Sequence, residues 1–338
     1  MYFEKGGVDR KEGSVSKTAV VIPNYNGIKF LPACLESLKK QSVRDFDVIV
    51  VDDCSSDESI NEIECNFSWV KCVKRKENGG FATAVNDGIR LAKDNGAEYV
   101  ILLNNDTVAD VCFVEKMVQA IEEDEKIFSV QAKMLSLKEP EVIDDAGDFY
   151  TVLGWAYARG KGKNASYYNK KGRIFAACAG AAIYRMTIFD KIGYFDEAHF
   201  AYLEDIDIGY RAALYGYYNT YEPAAVVYHA GSGTSGSRYN EFKIRLAARN
   251  SVYLIYKNQT WLQIVWHFIL LLTGFIIKQL FFTIKGYGNV YHKAVMEGLK
   301  DIRRKDFRAK RTGIVKGHFK DALKMEWQLW VNIFRKLM

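Results

Sequence analysis

Apolar runs of strand length alternate with amphipathic runs of helix length through the first third of the chain. That alternation limits the possible folds more than any other feature. TAVVIPNYNG (18–27), FDVIVVDD (46–53) and YVILL (99–103) carry consecutive apolar residues, as strands buried on both faces do. Between them, FLPACLESLKKQ (30–41), a stretch around 57–65 and FATAVNDGIRLAKDNG (81–96) place apolar residues at helical spacing, the last closed by Gly96. A short strand is expected near 70–74. Such strands and helices build βαβ units, so the expected fold class is α/β, with a Rossmann-like, mostly parallel central sheet and flanking helices.

Ligands of such sheets bind beyond the carboxyl ends of the strands. Three polar loops, 23–27, 52–57 and 104–107, fall on that edge. Asp53 there can accept the ring N–H of a pyrimidine, or simply bind nearby amides; Asp57 suits an N-cap or first-turn acid. Asn78, Gly79 and Gly80 open a helix whose free N–H groups could meet a ligand oxygen, although a plain turn explains two glycines equally well. In LLNNDT, Asp106 follows two amides. One acid is enough for a hard divalent cation when a diphosphate brings the other ligands, and an Asn-rich turn is the plain alternative.

From about residue 130 the segments become shorter and rich in Tyr and Gly, and after VVYHAGSGTSG (226–236) the chain reads as helical to its end. YLEDIDIGYR packs Glu204, Asp205 and Asp207 into four positions, which on a helix could not all be core. Two adjacent acids suit a general base at a helix start, with the other acid held by Arg211; a solvated acidic helix start is the bland reading. His229 at a strand end is either only hydrogen-bonded or, as a neutral imidazole, part of a metal site.

Together these stretches resemble the family 2 glycosyltransferases, particularly their rhamnosyltransferase-like branch. VVIPNYNG, VVDDCSSD, ENGGFATAVNDGI, LLNNDT, CAGAAIYR, FDEAHFAYLEDIDIGYR and VVYHAGSGTSG follow the family's order over residues 18–250. The resemblance implies a GT-A fold, a nucleotide-sugar donor (UDP- or dTDP-linked), Mn2+ or Mg2+, and inversion at the anomeric carbon. Carried over by position, Pro23, Tyr25, Asn26 and Asp53 hold the nucleobase and ribose, with Asn78, Gly79 and Asn105 lining the same pocket. Asp106 binds the metal with His229 as a second ligand, Gly180 and Ala181 border the sugar, and Asp205, beside Glu204, is the base. Many relatives carry two acids at the metal motif; here Asn104 takes the first place.

The first 17 residues carry no apolar signal core, and the six cysteines show no metal-ligand spacing; they read as small buried hydrophobes in a reducing compartment. Residues 286–338 hold 13 Lys and Arg against 5 Asp and Glu, whereas the rest of the chain is nearly balanced. Such a tail suits an anionic surface, and no nucleic-acid motif accompanies it. QTWLQIVWHFILLLTGFII (259–277) has no formal charge, and Gln263, His267, Gly274 and Lys278 form one narrow polar stripe. A helix lying in the membrane interface is expected, ahead of a single span and of dimer or core packing.

The expected organisation is therefore a flexible tail (1–17), a GT-A domain (18–250) and a helical, basic, membrane-associating region (251–338) at the cytoplasmic face of the membrane. The expected acceptor is a lipid-linked or oligosaccharide hydroxyl in cell-surface glycan assembly, and a homodimer is possible. A catalytically silent membrane-bound scaffold is the competing reading. A sugar nucleotidyltransferase fits less well, because IPNYNG stands where its Gly-rich, Arg-containing loop belongs.

Overall fold

The computed structural model describes residues 16–231 and 239–337. Most of the tail expected over 1–17, and residues 232–238 of the Gly/Ser stretch, lie outside the described residues.

The N-terminal runs form β1 (Thr18–Asn24), α1 (Leu31–Lys39), β2 (Asp47–Asp52), α2 (Ser59–Asn66), β3 (Lys71–Lys74), α3 (Phe81–Asp94) and β4 (Tyr99–Leu103). β1 lies parallel to both β2 and β4, and β2 parallel to β3. Alternate residues of β1 feed opposite faces: Ala19 and Val21 join one core cluster, Val20 and Ile22 the other. Each such fully buried Val or Ile contributes roughly 1.5–3 kcal/mol of burial energy.

The middle of the chain adds β5 (Thr107–Ala109), α4 (Phe113–Glu122), β6 (Ile127–Ser136), β7 (Ile143–Asp145), β8 (Asp148–Tyr150), β9 (Ala156–Ala158) and β10 (Gly172–Ile174). β11 (Ala181–Arg185), α5 (Met186–Ile192), α6 (Glu204–Leu214) and β12 (Tyr218–His229) follow. The main path of the sheet runs β10-β12-β6-β11-β4-β1-β2-β3. The expected mostly parallel sheet is thus mixed, since β11 is antiparallel to both β4 and β6. Parallel neighbours need a crossover, usually a helix. The chain between β6 and β11 has only short strands and one short turn of 3-10 helix, so β11 enters in the opposite sense.

α7 (Glu241–Asn258), α8 (Trp261–Trp266), α9 (Phe268–Ile284), α10 (Gly288–Asp301), α11 (Lys305–Arg308) and α12 (Phe319–Leu337) complete the chain. The apolar stretch 259–277 is not one helix but two, broken at His267, with Thr260 and Gln263 forming a capping box at the start of α8. Among the described residues no helix is long and apolar enough to cross a membrane. The six cysteines are free thiols, but only Cys34 is buried; Cys54 and Cys65 are exposed, against expectation.

Candidate active site

At the ends of β1, β2 and β4, a chain of amides locks three loops together. Asn105 donates to Asn24 Oδ1 at 2.8 Å, and Asn24 donates to Asp52 at 2.9 Å. A Cβ on Gly27 would lie 2.1 Å from Asn24 Oδ1, so only glycine fits over this chain. Asn105 therefore braces the site from beneath. Asn26, at a φ of 50° that Asn tolerates, accepts from Ser56 N at 2.8 Å. Asp57 is not itself the N-cap residue of α2, but it satisfies the free N–H of Ser59 at the helix start, and it accepts from Ile28 N at 3.0 Å, tying the 27–28 turn to the next loop. Tyr25 is left exposed, next to Pro23 in register with Val51.

Asp53 holds the loop after β3. Its carboxylate accepts from Gly79 N and Gly80 N, both at 2.9 Å, and pairs with Arg75 at 2.9 Å. The amides of Gly79 and Gly80 are thus spoken for, and Ala82 N goes to Phe200 O at 3.2 Å. Asn78 Oδ1 accepts from Gly80 N at 3.2 Å, and its side chain lies exposed at the loop. Gly80 has a φ of 80°, and a Cβ there would meet the Phe200 ring at 2.6 Å, so the loop carrying Asn78 presses directly on the segment preceding α6.

The next group is built by strand pairing. β5 starts just after Asp106 and runs antiparallel to β12 with Thr107 opposite His229, while β6 places Ser136 opposite His229 on its other side. His229 Nε2 consequently lies 3.0 Å from Asp106 Oδ1, and Nδ1 lies 2.7 Å from Asp144 Oδ2, contributed by β7. Lys161 pairs with Asp144 at 2.8 Å. Burial would lower the pKa of His229, but its bonds to Asp106 and Asp144 reverse that and raise it to about 9. Burial pushes Asp144 up, yet His229 and Lys161 outweigh it and hold the carboxyl at about 2.

Once the imidazole gives up its Nε2 proton, this arrangement fits a hard divalent cation. Asp106 and the Nε2 face of His229 converge, and two cis ligands of an octahedral ion at ~2.0–2.1 Å stand about 3 Å apart. A carboxylate on the other imidazole nitrogen is the usual support of a metal-binding histidine. Gly180 lies beside Asn104, its carbonyl accepting from Asn104 N at 2.9 Å, while Ala181 is drawn wholly into the core in register with Leu103 of β4.

The third group surrounds the start of α6. Phe200, Tyr202 and Leu203 all have positive φ (63°, 70° and 69°), a strained approach that leads straight into Glu204 and Asp205. Asn250 of α7 holds it, donating to the carbonyls of His199, Ala201 and Tyr202 at 2.9, 3.0 and 2.8 Å. Asn250→Ala should leave those carbonyls short of donors and cost roughly 1–3 kcal/mol in a urea unfolding curve.

Glu204 and Asp207 are buried and Asp205 only partly so, in keeping with the expectation that the three acids could not all be core. One expectation for this segment is corrected. Arg211 holds Asp207, at 2.9 Å, rather than Glu204. Asp207 sits one turn from Arg211 and also bonds Lys257 and Asn258 of α7, which makes its burial tolerable. Asp196, His199 and Asp207 have ligand-like spacing, but the ammonium of Lys257 lies between the two acids at 2.7 and 2.8 Å.

Asp205 is less buried than its neighbours and shares a hydrogen bond with Asp148 of β8. Burial raises Asp205 to about 6. Burial, with Asp145 and Asp205 nearby, holds Asp148 well above the usual carboxylate range, and Asp145 is pushed up to about 7. The turn at Gly147, with a φ of 105°, therefore links both ends of the site: Asp144 faces His229, whereas Asp145 and Asp148 face Asp205. Sequence reasoning missed Asp144, Asp145 and Asp148. The only local signal was three acids within five residues of IDDAGD (143–148), which looks like any polar turn.

The sequence profile of glycosyl transferase family 2 matches residues 19–193, just over half of the chain. The chain belongs to that family. An uncharacterised glycosyltransferase of Haemophilus influenzae is 34% identical over 113 residues, which are 32% of this chain and 36% of that protein. This chain therefore spans only about a third of that relative's length. The N-acetylglucosaminyl-diphospho-decaprenol L-rhamnosyltransferase of Mycobacterium tuberculosis is 24% identical over 239 residues, covering 64% of this chain and 77% of the relative, in line with the rhamnosyltransferase-like branch. Among solved structures, residues 1–349 of S. aureus TarS in complex with UDP-GlcNAc superpose with a TM-score of 0.57 at 20% identity, over 87% of this chain and 83% of that one. That likeness concerns the fold, a mixed α/β GT-A arrangement.

Proposed function

We propose that this member of the family is an inverting, metal-dependent glycosyltransferase. In this reading it moves a sugar from a UDP- or dTDP-linked donor to a hydroxyl of a lipid-linked saccharide. The observation that carries the reading is the Asp106–His229–Asp144 chain at the strand ends, joined through the Gly147 turn to a base candidate whose pKa is about 6. The donor's base and ribose would lie over Pro23, Tyr25 and the loop that Asp53 organises.

Asp106 and His229 would hold Mn2+ or Mg2+, whose contribution is to offset charge developing on the leaving nucleoside diphosphate. Asp144 keeps the imidazole oriented with Nε2 toward Asp106. Asp205 takes the proton of the acceptor hydroxyl as its oxygen attacks the anomeric carbon, on the face opposite the leaving group. Asp148, held protonated, donates to Asp205 and keeps that carboxylate ionised and aimed. Support for a lipid-linked acceptor comes from the mycobacterial relative, whose name specifies a diphospho-decaprenol acceptor.

Calorimetric titration of UDP, dTDP and GDP, with manganese and with EDTA, tests this reading. One uridine or thymidine nucleotide should bind in a metal-dependent way, and Asp106→Ala should abolish that dependence. Asp144→Ala should weaken manganese binding by about 10–100-fold, the usual cost of losing the support of a metal-bound histidine. If none of the three nucleotides binds under any condition, the transferase reading fails.

A further inference from the structure

Helices α8 and α9 are oriented inside out. Their polar stripe faces the protein: Gln263 donates to Glu326 of α12 at 2.9 Å, fully buried His267 bonds the same carboxylate at 2.7 Å, and Gly274 lies against Leu153. Their apolar side faces outward. Leu262, Val265, Ile269, Leu272, Ile276 and Leu280, spaced three or four apart, are 47–80% exposed. Leu323 and Trp327 of α12, either side of Glu326, continue this surface, with Phe319 and Phe334 farther along the helix. A ridge of this extent is far beyond the scattered apolar residues of an ordinary surface.

Its charge is one-sided as well. No Asp or Glu occurs between Phe242 and Met296, whereas the exposed Lys285 and Lys293 do, and the following tail is strongly basic. A second copy of the chain would bring the same cations against these, so self-association is electrostatically opposed. A bilayer with anionic headgroups complements both the apolar ridge and its cationic rim. At 17 residues, α9 is about 25 Å long, short of the ~30 Å hydrocarbon core.

We propose that the outward faces of α8, α9 and α12 form one docking surface that lies in the plane of an anionic bilayer. The surface is tied to the site. Asn332 of α12 donates to Tyr150 O at 2.8 Å and accepts through its own carbonyl from Tyr157 at 2.7 Å, while Trp155 donates to Gly274 O of α9 at 3.1 Å. Two of these helices, α9 and α12, thus grip the β8–β9 hairpin that carries Asp148. Given the transferase reading, docking holds the Asp205 end of the site against the leaflet from which a lipid-linked acceptor is presented.

The test uses the full-length chain, freed of detergent, with vesicles of phosphatidylcholine alone or mixed with phosphatidylglycerol. Binding should be at least about tenfold tighter to the anionic vesicles and should weaken in high salt. Tryptophan emission should shift to the blue, with strongest quenching by lipids brominated at shallow acyl positions. The double variant Leu262→Glu, Ile269→Glu should lower vesicle binding more than about tenfold while its thermal melt is kept. If it fails to fold, the exposed Trp327→Glu serves in its place.

Absence of vesicle binding, equal binding to neutral vesicles, or binding that the variants retain would overturn the proposal. So would strongest quenching from the bilayer centre, or a dimer that the double variant breaks. Vesicle binding is read without donor or acceptor, so its failure is separate from failure of the transferase reading.

Discussion

Asp205→Asn is expected to lower kcat by roughly 10²–10⁴-fold while nucleotide binding, read by calorimetry, stays as it was. An amide cannot take the acceptor's proton, whereas the donor pocket at Tyr25, Asp53 and Asp106 is built on other elements. Glu204 is the natural control. It is buried, its Oε2 has no partner among the described residues, and burial together with Asp205 raises its pKa well above the carboxylate range. A carboxyl held neutral is no base, so Glu204→Gln should cost less than about tenfold.

The same physics sets the pH profile. With Asp205 at about 6, the rate should rise with pH through that value, because protonated Asp205 cannot act, and should level off above it. Asp148, Asp145, Glu204 and Cys178 all face this carboxylate, so the limb belongs to the cluster rather than to one proton. Asp205→Asn should remove the limb from the residual activity.

Asp207→Ala is expected to have the largest effect on stability, about 3–5 kcal/mol in urea unfolding. The carboxylate is fully buried and receives Arg211, Lys257 at 2.8 Å and Asn258 at 2.7 Å. Among the described residues, its removal leaves Arg211 with hydrogen bonds only to backbone carbonyls of the 192–194 segment and Lys257 with Asp196 as its one remaining acid. Burial opposes ionisation of Asp207, but Lys257 and Arg211 win and depress its pKa strongly. The stability this supplies is present above the unfolded-state value of ~3.9 and is lost as pH falls below it. The wild type should therefore lose stability steeply in acid, and Asp207→Ala should flatten that dependence. The melt also distinguishes the two substitutions, since Asp205→Asn should barely move it.

Periodicity alone was enough for β1, β2, β4, α1 and α3, because consecutive apolar residues and helical spacing are local properties of the chain. The strand-end loops bearing Asp53 and Asp106 were equally legible, since a βαβ sheet collects them on one edge whatever else follows. Other features depended on partners far away in sequence. β11 runs antiparallel because of how the irregular chain before it returns, and periodicity says nothing about direction. Asp207 is buried because Lys257, fifty residues later, comes to meet it, and no local pattern separates it from a solvated acid. Asp144 and Asp148 belong to the site only because β7 and β8 lie between His229 and Asp205. In α9 the sequence by itself determined a polar stripe and an apolar face, but only the tertiary structure decided which of them faces outward. The reason is physical: period and composition act between neighbours, whereas burial, pairing and pKa are set by whatever distant residues the fold brings within a few ångströms.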